Sequence, residues 1–442
     1  MSLARSVLPR SVAAGDSFSR ERTPPPTPRL ARWSLQVFLV VGWLVMISRF
    51  ISVQVSDSLG SSVGLLGLFI YPLCLGAAVY FYEKSPGPSP RISWAYLWAL
   101  TGYLGFLILY AVVLGNPVRL IAFDCFTYWT VLGAFILGRR DSVWRDIRLT
   151  VTILSGLSVL LAIRFTDSMV LTDRSILNEQ SGSQFEAALT LAPLLALVAA
   201  TTEVRNRWYV PLLVITAGCL FVYLYFGRRG ISVRCALELF AAAAVLPAML
   251  RQQRRIVLAV VGFILFAAAI VLYFPFDVLI ERFQGRYGVA TTVLSENERW
   301  AEVRDLAEEL EGTEWLVGRG MGGVFLANQI QSLSVDRLTG DEFGRTSTHA
   351  GAALPFLKGG VILFVLYFLP LVRVIARLRN WRRLDPITLA AAVSGLALVA
   401  FQSIEGTITY STPWVSFGIG LIMARVQLGY MPPPTSHAVA SR

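Results

Sequence analysis

The hydrophobic residues of this chain fall into long runs that are separated by short polar stretches. Each run is about 17 to 25 residues long, which is the length that a helix needs to cross a bilayer. The pattern predicts an all-α polytopic membrane protein with about 12 transmembrane helices. We place these spans at 35–52, 62–82, 93–115, 118–138, 149–165, 186–202, 209–226, 231–250, 255–275, 351–372, 387–406 and 412–427.

The spans divide the chain into five predicted segments. Residues 1–34 hold several arginines around "TPPPTP" without an apolar core or a cleavage site, so we predict a disordered basic cytoplasmic tail and not a signal peptide. Transmembrane helices one to nine occupy 35–275, and helices ten to twelve occupy 351–427. The large segment between them, 276–350, is predicted to be a periplasmic loop, and 428–442 a second cytoplasmic tail.

Composition and charge agree with a membrane protein. The 442 residues are 55% hydrophobic and 15% charged, which is too apolar for an ordinary soluble protein. The net charge of +11 arises from Lys and Arg in alternate loops such as "RRDSVWRDIR" and "RVIARLRNWRR", which the positive-inside rule places in the cytoplasm. The charge therefore indicates topology and attraction to membrane lipids, not a nucleic acid partner.

The four cysteines lie inside predicted spans without metal-ligand spacing, so no metal or disulfide is predicted.

One predicted outer loop breaks the positive-inside rule. The turn "GRRG" after the seventh span carries Arg228 and Arg229 at the membrane boundary. Charged groups near hydrocarbon cost a few kcal/mol unless they reach the interface or find a partner. Snorkelling is one interpretation. The other is an anion site, because guanidinium groups match phosphate oxygens and the next helix begins here with free N–H groups.

Further polar residues collect at the same predicted depth. Asp124 lies six residues inside the fourth span, about 9 Å from its outer end. Arg234 and Glu238 are four residues apart in the eighth span, and Glu405 lies at the outer end of the eleventh. Each residue alone fits a structural ion pair. Their shared level indicates a cavity that opens to the outer face.

The periplasmic loop contains a predicted amphipathic helix, "ENERWAEVRDLAEELEG", which includes Arg299. Trp300, Val303, Ala307 and Leu310 recur at helical spacing and predict the face with which this helix packs on the membrane domain as a lid.

A glycine-rich run and a histidine follow the amphipathic helix. In "EWLVGRGMGG", Gly318 and Gly320 permit positive φ angles and a close approach of the backbone to a ligand. His349 stands at the start of the tenth span, and the only other histidine, His437, lies in the C-terminal segment. Histidine exchanges protons near neutral pH, so His349 is either a structural residue or a general base.

The order of these motifs is similar to that of a known family. "FGRRG", "ENERWAEV", "LVGRGMGG" and a histidine ahead of "LPFLKGGVILF" resemble the O-antigen ligase and polymerase family over residues 170–400. The stretch "SILNEQSGSQFEAALTLAPLL" looks like the family's entry to the preceding span.

The resemblance implies a GT-C-like membrane glycosyltransferase that needs neither metal nor cofactor. It would transfer a glycan from undecaprenyl pyrophosphate to a sugar hydroxyl of an acceptor glycan or of lipid A core. The site would face the periplasm from the bacterial inner membrane.

The resemblance also implies roles for single residues. Arg228 or Arg229, together with Arg299, would bind the pyrophosphate, and His349 would activate or orient the acceptor hydroxyl. Two positions depart from the family pattern: Ala350 follows His349 where Asn is common, and Phe226-Gly227 replaces a Ser or Thr before the arginines. The candidates for supporting roles are Asp124, Arg234, Glu405, Gly318 and Gly320.

A second class of function is compatible with the spans alone. A secondary transporter or a lipid-linked glycan exporter would bind its substrate near the bilayer midplane between repeated halves. The sequence shows no internal repeat, and its polar residues gather at the outer face instead.

Overall fold

The computed structural model describes a mostly helical chain, which confirms the predicted all-α class in its coarse form. The described residues are 27–54, 57–85, 94–169, ten positions between 191 and 218, 300–326, 344–345, 351–378, 384, 386–402 and 413–428.

The helices α1 to α5 follow one another in the first third of the chain. Their bounds are Arg29–Gln54, Asp57–Glu83, Trp94–Val113, Val118–Gly138 and Asp141–Met169. Helix α6 is described over residues 300–309. It is followed by α7 at Glu314–Val317, α8 at Ala353–Leu378, α9 at Pro386–Gln402 and α10 at Pro413–Leu428. One short antiparallel ladder pairs β1 (Phe325–Leu326) with β2 (Gly344–Arg345).

Eight of these helices overlap predicted spans, namely the first five and the last three. Within the described residues, three segments are long and apolar enough to cross a membrane: Trp94–Val113, Val118–Gly138 and Ala353–Pro370. They indicate a membrane protein. Most of spans six to nine lies outside the described residues, so the count of about twelve and the GT-C-like architecture stay predictions.

The core is formed by helices that pack closely along their length. Phe38 of α1 joins α2 and α10, since its ring centroid lies 4.5 Å from that of Tyr71 and 5.0 Å from that of Phe417. Helix α10 approaches α4 at a glycine: a Cβ atom on Gly420 would lie 2.6 Å from the Cβ of Ala134. No side chain would fit in this space, so the two helices can pack this closely because residue 420 is glycine.

Polar residues gather at the two ends of α4. At the end that we call the Arg139 end, Arg140 Nη1 donates to the Ser85 carbonyl over 2.9 Å. Burial, and then the charge of Arg140, lowers the pKa of Arg139. Arginine titrates so far above neutrality that the side chain still carries its charge. The ion pairs among the described residues at this end are Arg139 and Arg140 with Glu83, Arg425 with Asp141, and Arg32 with Asp146.

The opposite end of α4, which we call the Asp124 end, holds the turn before α4, the segment after α7 and the start of α8. A helix of 21 residues separates the two ends by about 31 Å. The Arg139 end collects the chain segments that the charge pattern predicts to be cytoplasmic, and the Asp124 end collects predicted periplasmic ones. Which of the two ends faces the cytoplasm stays a prediction.

We expect Gly420→Ala to destabilise the bundle and Gly102→Ala to leave it intact. Both glycines lie in helices, but a Cβ on Gly102 meets nothing within 4 Å. Overpacking at Gly420 should cost about 1–3 kcal/mol. Alanine at Gly102 should be neutral or stabilise by up to about 1 kcal/mol through helix propensity. Thermal unfolding of the purified protein in detergent measures both, and equal shifts in Tm would contradict the packing.

Candidate functional site

Three of the predicted site residues lie in the described part of the chain: Asp124, Gly318 and Gly320. The others fall outside the described residues, so their positions and roles stay predictions. These are His349, Arg228, Arg229, Arg299, Arg234 and Glu405.

Residues 318–323, which we call the Gly-rich segment, are tied to the bundle on two sides. On one side, Asn116 Nδ2 in the turn before α4 donates to the carbonyls of Arg319 and Met321, both over 2.9 Å. On the other side, the Arg319 N–H donates to the Leu357 carbonyl of α8 over 2.8 Å. The segment therefore bridges the α3–α4 turn and α8.

The glycines of this segment have the backbone conformation that the sequence predicts, but the atoms they approach belong to the protein. Gly318 and Gly320 have φ angles of 66° and 74°. A Cβ atom would lie 2.6 Å from the Gly359 nitrogen at Gly318, and 3.1 Å from the Ala111 Cα at Gly320. In the described structure these two residues allow close packing against helices, and a ligand-binding role for them stays a prediction.

A buried ion pair lies directly beside the Gly-rich segment. Lys358 of α8 is fully buried, and its Nζ lies 3.0 Å from Asp124 Oδ2 of α4. The same Nζ donates to the Gly323 carbonyl over 2.7 Å. Asp124, which is 2% exposed, also accepts a hydrogen bond from the Gly322 N–H. One pair of charges thus joins α4, α8 and the Gly-rich segment.

Lys358 was missed by sequence reasoning, although a signal for it exists. A charged residue within an apolar span needs a partner, and the lysine in "LPFLKGG" lies five residues inside α8, or about 8 Å. Asp124 lies about 9 Å inside α4, at nearly the same depth and with the opposite charge. Two residues of opposite charge at similar depths in predicted spans would have suggested this ion pair.

Helix α8 is interrupted immediately after Lys358. Gly359 and Gly360 have non-helical backbone angles, with φ values of −142° and 56°. The interruption exposes carbonyls that need donors, because unsatisfied backbone groups are costly inside a membrane protein. The Tyr103 hydroxyl donates to the Gly359 carbonyl over 2.8 Å, and Arg319 supplies the donor for Leu357.

Helix α6 lies on the start of α8, but only part of the predicted face is buried. Leu306 and Leu310 are buried against Leu357 and Phe325. Leu310 was predicted to pack inward, which is confirmed, whereas Trp300, predicted on the same face, is 66% exposed. The prediction was therefore wrong for Trp300. The buried face also includes two carboxylates, Glu302 and Asp305, and a pattern of hydrophobic residues does not find a face of mixed polarity.

Arg319 is the basic side chain of the Gly-rich segment, and it is held by carboxylates. Its guanidinium lies 2.8 Å from Glu309 Oε2 and 3.3 Å from Glu314 Oε2. It also donates to the Glu309 and Val324 carbonyls. Since Arg319 and Lys358 are both paired with carboxylates, the described groups are suited to holding the backbone and not to binding a pyrophosphate.

An apolar cavity of about 440 Å³ adjoins the Gly-rich segment. Its wall is formed by side chains of α3 and α4, including Leu104, Ile108, Phe126 and Trp129, and Met321 reaches it from the Gly-rich segment. Nearly all of the lining is apolar, so the cavity fits hydrocarbon and not a sugar. The polar cavity predicted from the outer arginines involves residues outside the described ranges.

Comparison with known proteins adds no family. The sequence matches no protein-family model, and no curated protein is similar to it. Within the described ranges, no group of three or more His, Cys, Asp or Glu residues could hold a metal ion. The resemblance to O-antigen ligases and polymerases therefore stays a prediction from motif order.

We expect Gly318→Ala to be more destabilising than Gly312→Ala. Each glycine follows a helix and has a positive φ angle, 66° at Gly318 and 48° at Gly312, so alanine is strained at both positions. Only at Gly318 would the Cβ also meet backbone atoms, whereas Gly312 faces open space. The clash should add about 1–3 kcal/mol at Gly318. Equal losses of Tm in detergent would show that the Gly-rich segment does not pack as described.

Proposed function

We propose that this protein is a metal-independent membrane glycosyltransferase of the O-antigen ligase or polysaccharide polymerase type. One observation supports this most strongly. The helix that continues from "ENERWAEV", the run "LVGRGMGG" and the start of α8 in "LPFLKGG" meet at the Asp124 end. Leu306 of α6 packs with Leu357, and Arg319 donates to the carbonyl of the same Leu357.

The predicted reactive residues are neighbours of these segments in sequence. Arg299 directly precedes the described start of α6, and His349 lies four residues before α8 begins at Ala353. A junction that holds α6 and the start of α8 together limits how far apart these two residues can be. This supports the proposal that one site contains both, with Arg228 or Arg229 as a further ligand of the pyrophosphate.

The chemistry requires few residues. The acceptor hydroxyl attacks the anomeric carbon of the donor glycan, and the bond from that carbon to the pyrophosphate oxygen breaks with inversion. The pyrophosphate departs with the electron pair, and arginines stabilise its charge without a proton donor. His349 takes the proton of the hydroxyl or orients it. The acceptor is either another lipid-linked glycan or lipid A core.

The surroundings of the junction are compatible with a lipid-linked donor. Three helices in the described part of the chain are long and apolar enough to cross a membrane. The apolar cavity lies between α3 and α4 beside Met321. A polyprenyl chain is hydrocarbon, so it reaches a site from the bilayer through surfaces of this kind. The periplasmic location follows from the charge pattern of the loops.

A transporter or glycan exporter is the second candidate, and the interrupted helix α8 favours it. Transporters often bind substrate where two broken helices meet near the bilayer midplane. The pair of Asp124 and Lys358 lies about 8–9 Å from the helix ends, whereas the midplane of a bilayer core is about 15 Å deep. The shallower depth suits a site at one membrane face, so we place the glycosyltransferase first.

We expect His349→Ala to lower transfer at least about 100-fold, since a positioned base contributes about 10²–10⁴-fold. The matched control is His437→Ala, which removes the other histidine and should keep full activity. Both proteins are reconstituted in liposomes with lipid-linked oligosaccharide from the native host, with and without lipid A core. Gel electrophoresis and mass spectrometry measure the products. Full activity of His349→Ala would remove this residue from the mechanism.

The same assay separates the two reactions. A ladder of repeats without lipid A core indicates a polymerase, and a single core-dependent transfer indicates a ligase. No product from folded wild-type protein and a verified donor would contradict the glycosyltransferase proposal, and uptake or export by the same liposomes would favour transport.

We also expect Arg299→Ala to lower transfer about 10²–10³-fold, as loss of one charge-stabilising group does in other enzymes. Arg304→Ala is the control, because Arg304 lies five residues further along the same segment and is exposed. The loss should appear in kcat with membrane insertion unchanged. Equal activities of the two variants would exclude Arg299 from pyrophosphate binding.

A further inference from the structure

The buried pair of Asp124 and Lys358 does more than neutralise two charges. Each residue of the pair has a second, directional partner in the Gly-rich segment: Lys358 donates to the Gly323 carbonyl, and Asp124 Oδ2 accepts from the Gly322 N–H. These bonds involve two adjacent residues of the backbone. The pair therefore holds the Gly-rich segment in one register and links it to both α4 and α8.

Apolar side chains would fill the same space without these two hydrogen bonds to the Gly-rich segment. Replacing a buried ion pair by hydrophobic residues of similar volume is often neutral for stability or even stabilising. Hydrophobic contacts are not directional, so they would leave the Gly322 N–H and the Gly323 carbonyl without their partners. The presence of the pair at this position thus points to a requirement for placement and not for stability alone.

The element that the pair places is the entry to α8. Lys358 is the last residue before the interruption at Gly359 and Gly360, so it belongs to the first, short part of α8, which begins at Ala353. The pair is the ion pair that connects this part to α4. The Arg319 N–H bond to the Leu357 carbonyl and the packing of Leu306 hold the same part against the Gly-rich segment and α6.

We propose that Asp124 and Lys358 are positioning residues. Their pair holds the Gly-rich segment and the first part of α8 in one register on α4, so that the chain entering α8 is presented at a defined place. The placement itself does not depend on the proposed function. Only the consequence for catalysis, that His349 is held in position for the acceptor, rests on the glycosyltransferase proposal.

The test compares the wild type with the double variant Asp124→Val/Lys358→Met, which removes both charges and stays close to the native side-chain volumes. The probe is Met321→Cys in a full-length background without the four native cysteines. Met321 is 1% exposed, so a maleimide reaches a cysteine there only when the Gly-rich segment opens. Trp300→Cys, at a side chain that is 66% exposed, is the control and should react equally in both backgrounds.

In detergent, we expect the double variant to remain folded with a Tm near that of the wild type, and the cysteine at position 321 to react about tenfold faster or more. Lys358→Met alone leaves a buried carboxylate without its cation, so it should also accelerate labelling and lower the yield of folded protein. Unchanged labelling in the folded double variant overturns the proposal. Failure of the double variant to fold also overturns it, because the pair would then be needed for folding and not for placing one segment.

Catalysis supplies a second readout. If the pair positions the acceptor site, the double variant should raise the KM for the acceptor about fivefold or more. A lower fraction of folded enzyme would reduce the apparent kcat and leave this KM unchanged. If the wild type shows no transfer at all, the proposed function fails, while the labelling result still decides whether the pair holds the Gly-rich segment.

Discussion

A charged side chain inside an apolar helix bundle must be paired, and the pairing of Lys358 with Asp124 governs the Asp124 end of this protein. Removing one partner of such a pair typically costs about 3–5 kcal/mol, because the remaining charge is buried without compensation. The pair lies where α4, α8 and the Gly-rich segment meet, and α6 packs on the same part of α8. Four chain segments thus meet around one contact between Nζ and a carboxylate.

The interruption of α8 and the nearby glycines are structurally linked to this ion pair. Ending the first part of α8 at Lys358 leaves backbone carbonyls that need donors, and they receive them from Arg319 and Tyr103. The donor from Arg319 can reach the Leu357 carbonyl only because Gly318 has no Cβ, which would lie 2.7 Å from that oxygen. Ion pair, helix break and glycine conformation are therefore linked by hydrogen bonding and sterics.

The two ends of α4 have different characters. The Arg139 end holds ion pairs between residues of different helix termini, and these pairs fix the helix ends against each other. The Asp124 end combines a buried ion pair, an interrupted helix and an adjacent apolar cavity. Interrupted helices are expensive in a membrane unless other groups satisfy the freed backbone, so the Asp124 end is the more specialised of the two.

The sequence by itself determined where eight of the described helices lie and that Asp124 lies inside α4 near one of its ends. These features depend on hydrophobic run length and loop charge, which are properties of each segment in contact with a bilayer. Only the tertiary structure decided that Lys358 is the partner of Asp124, that Gly318 and Gly320 pack on helices, and that α6 buries Glu302 and Asp305 instead of Trp300. Those outcomes depend on which segments become neighbours in space. The hydrophobic periodicity of a segment shows which of its faces is apolar, but it does not show which distant segment packs on that face.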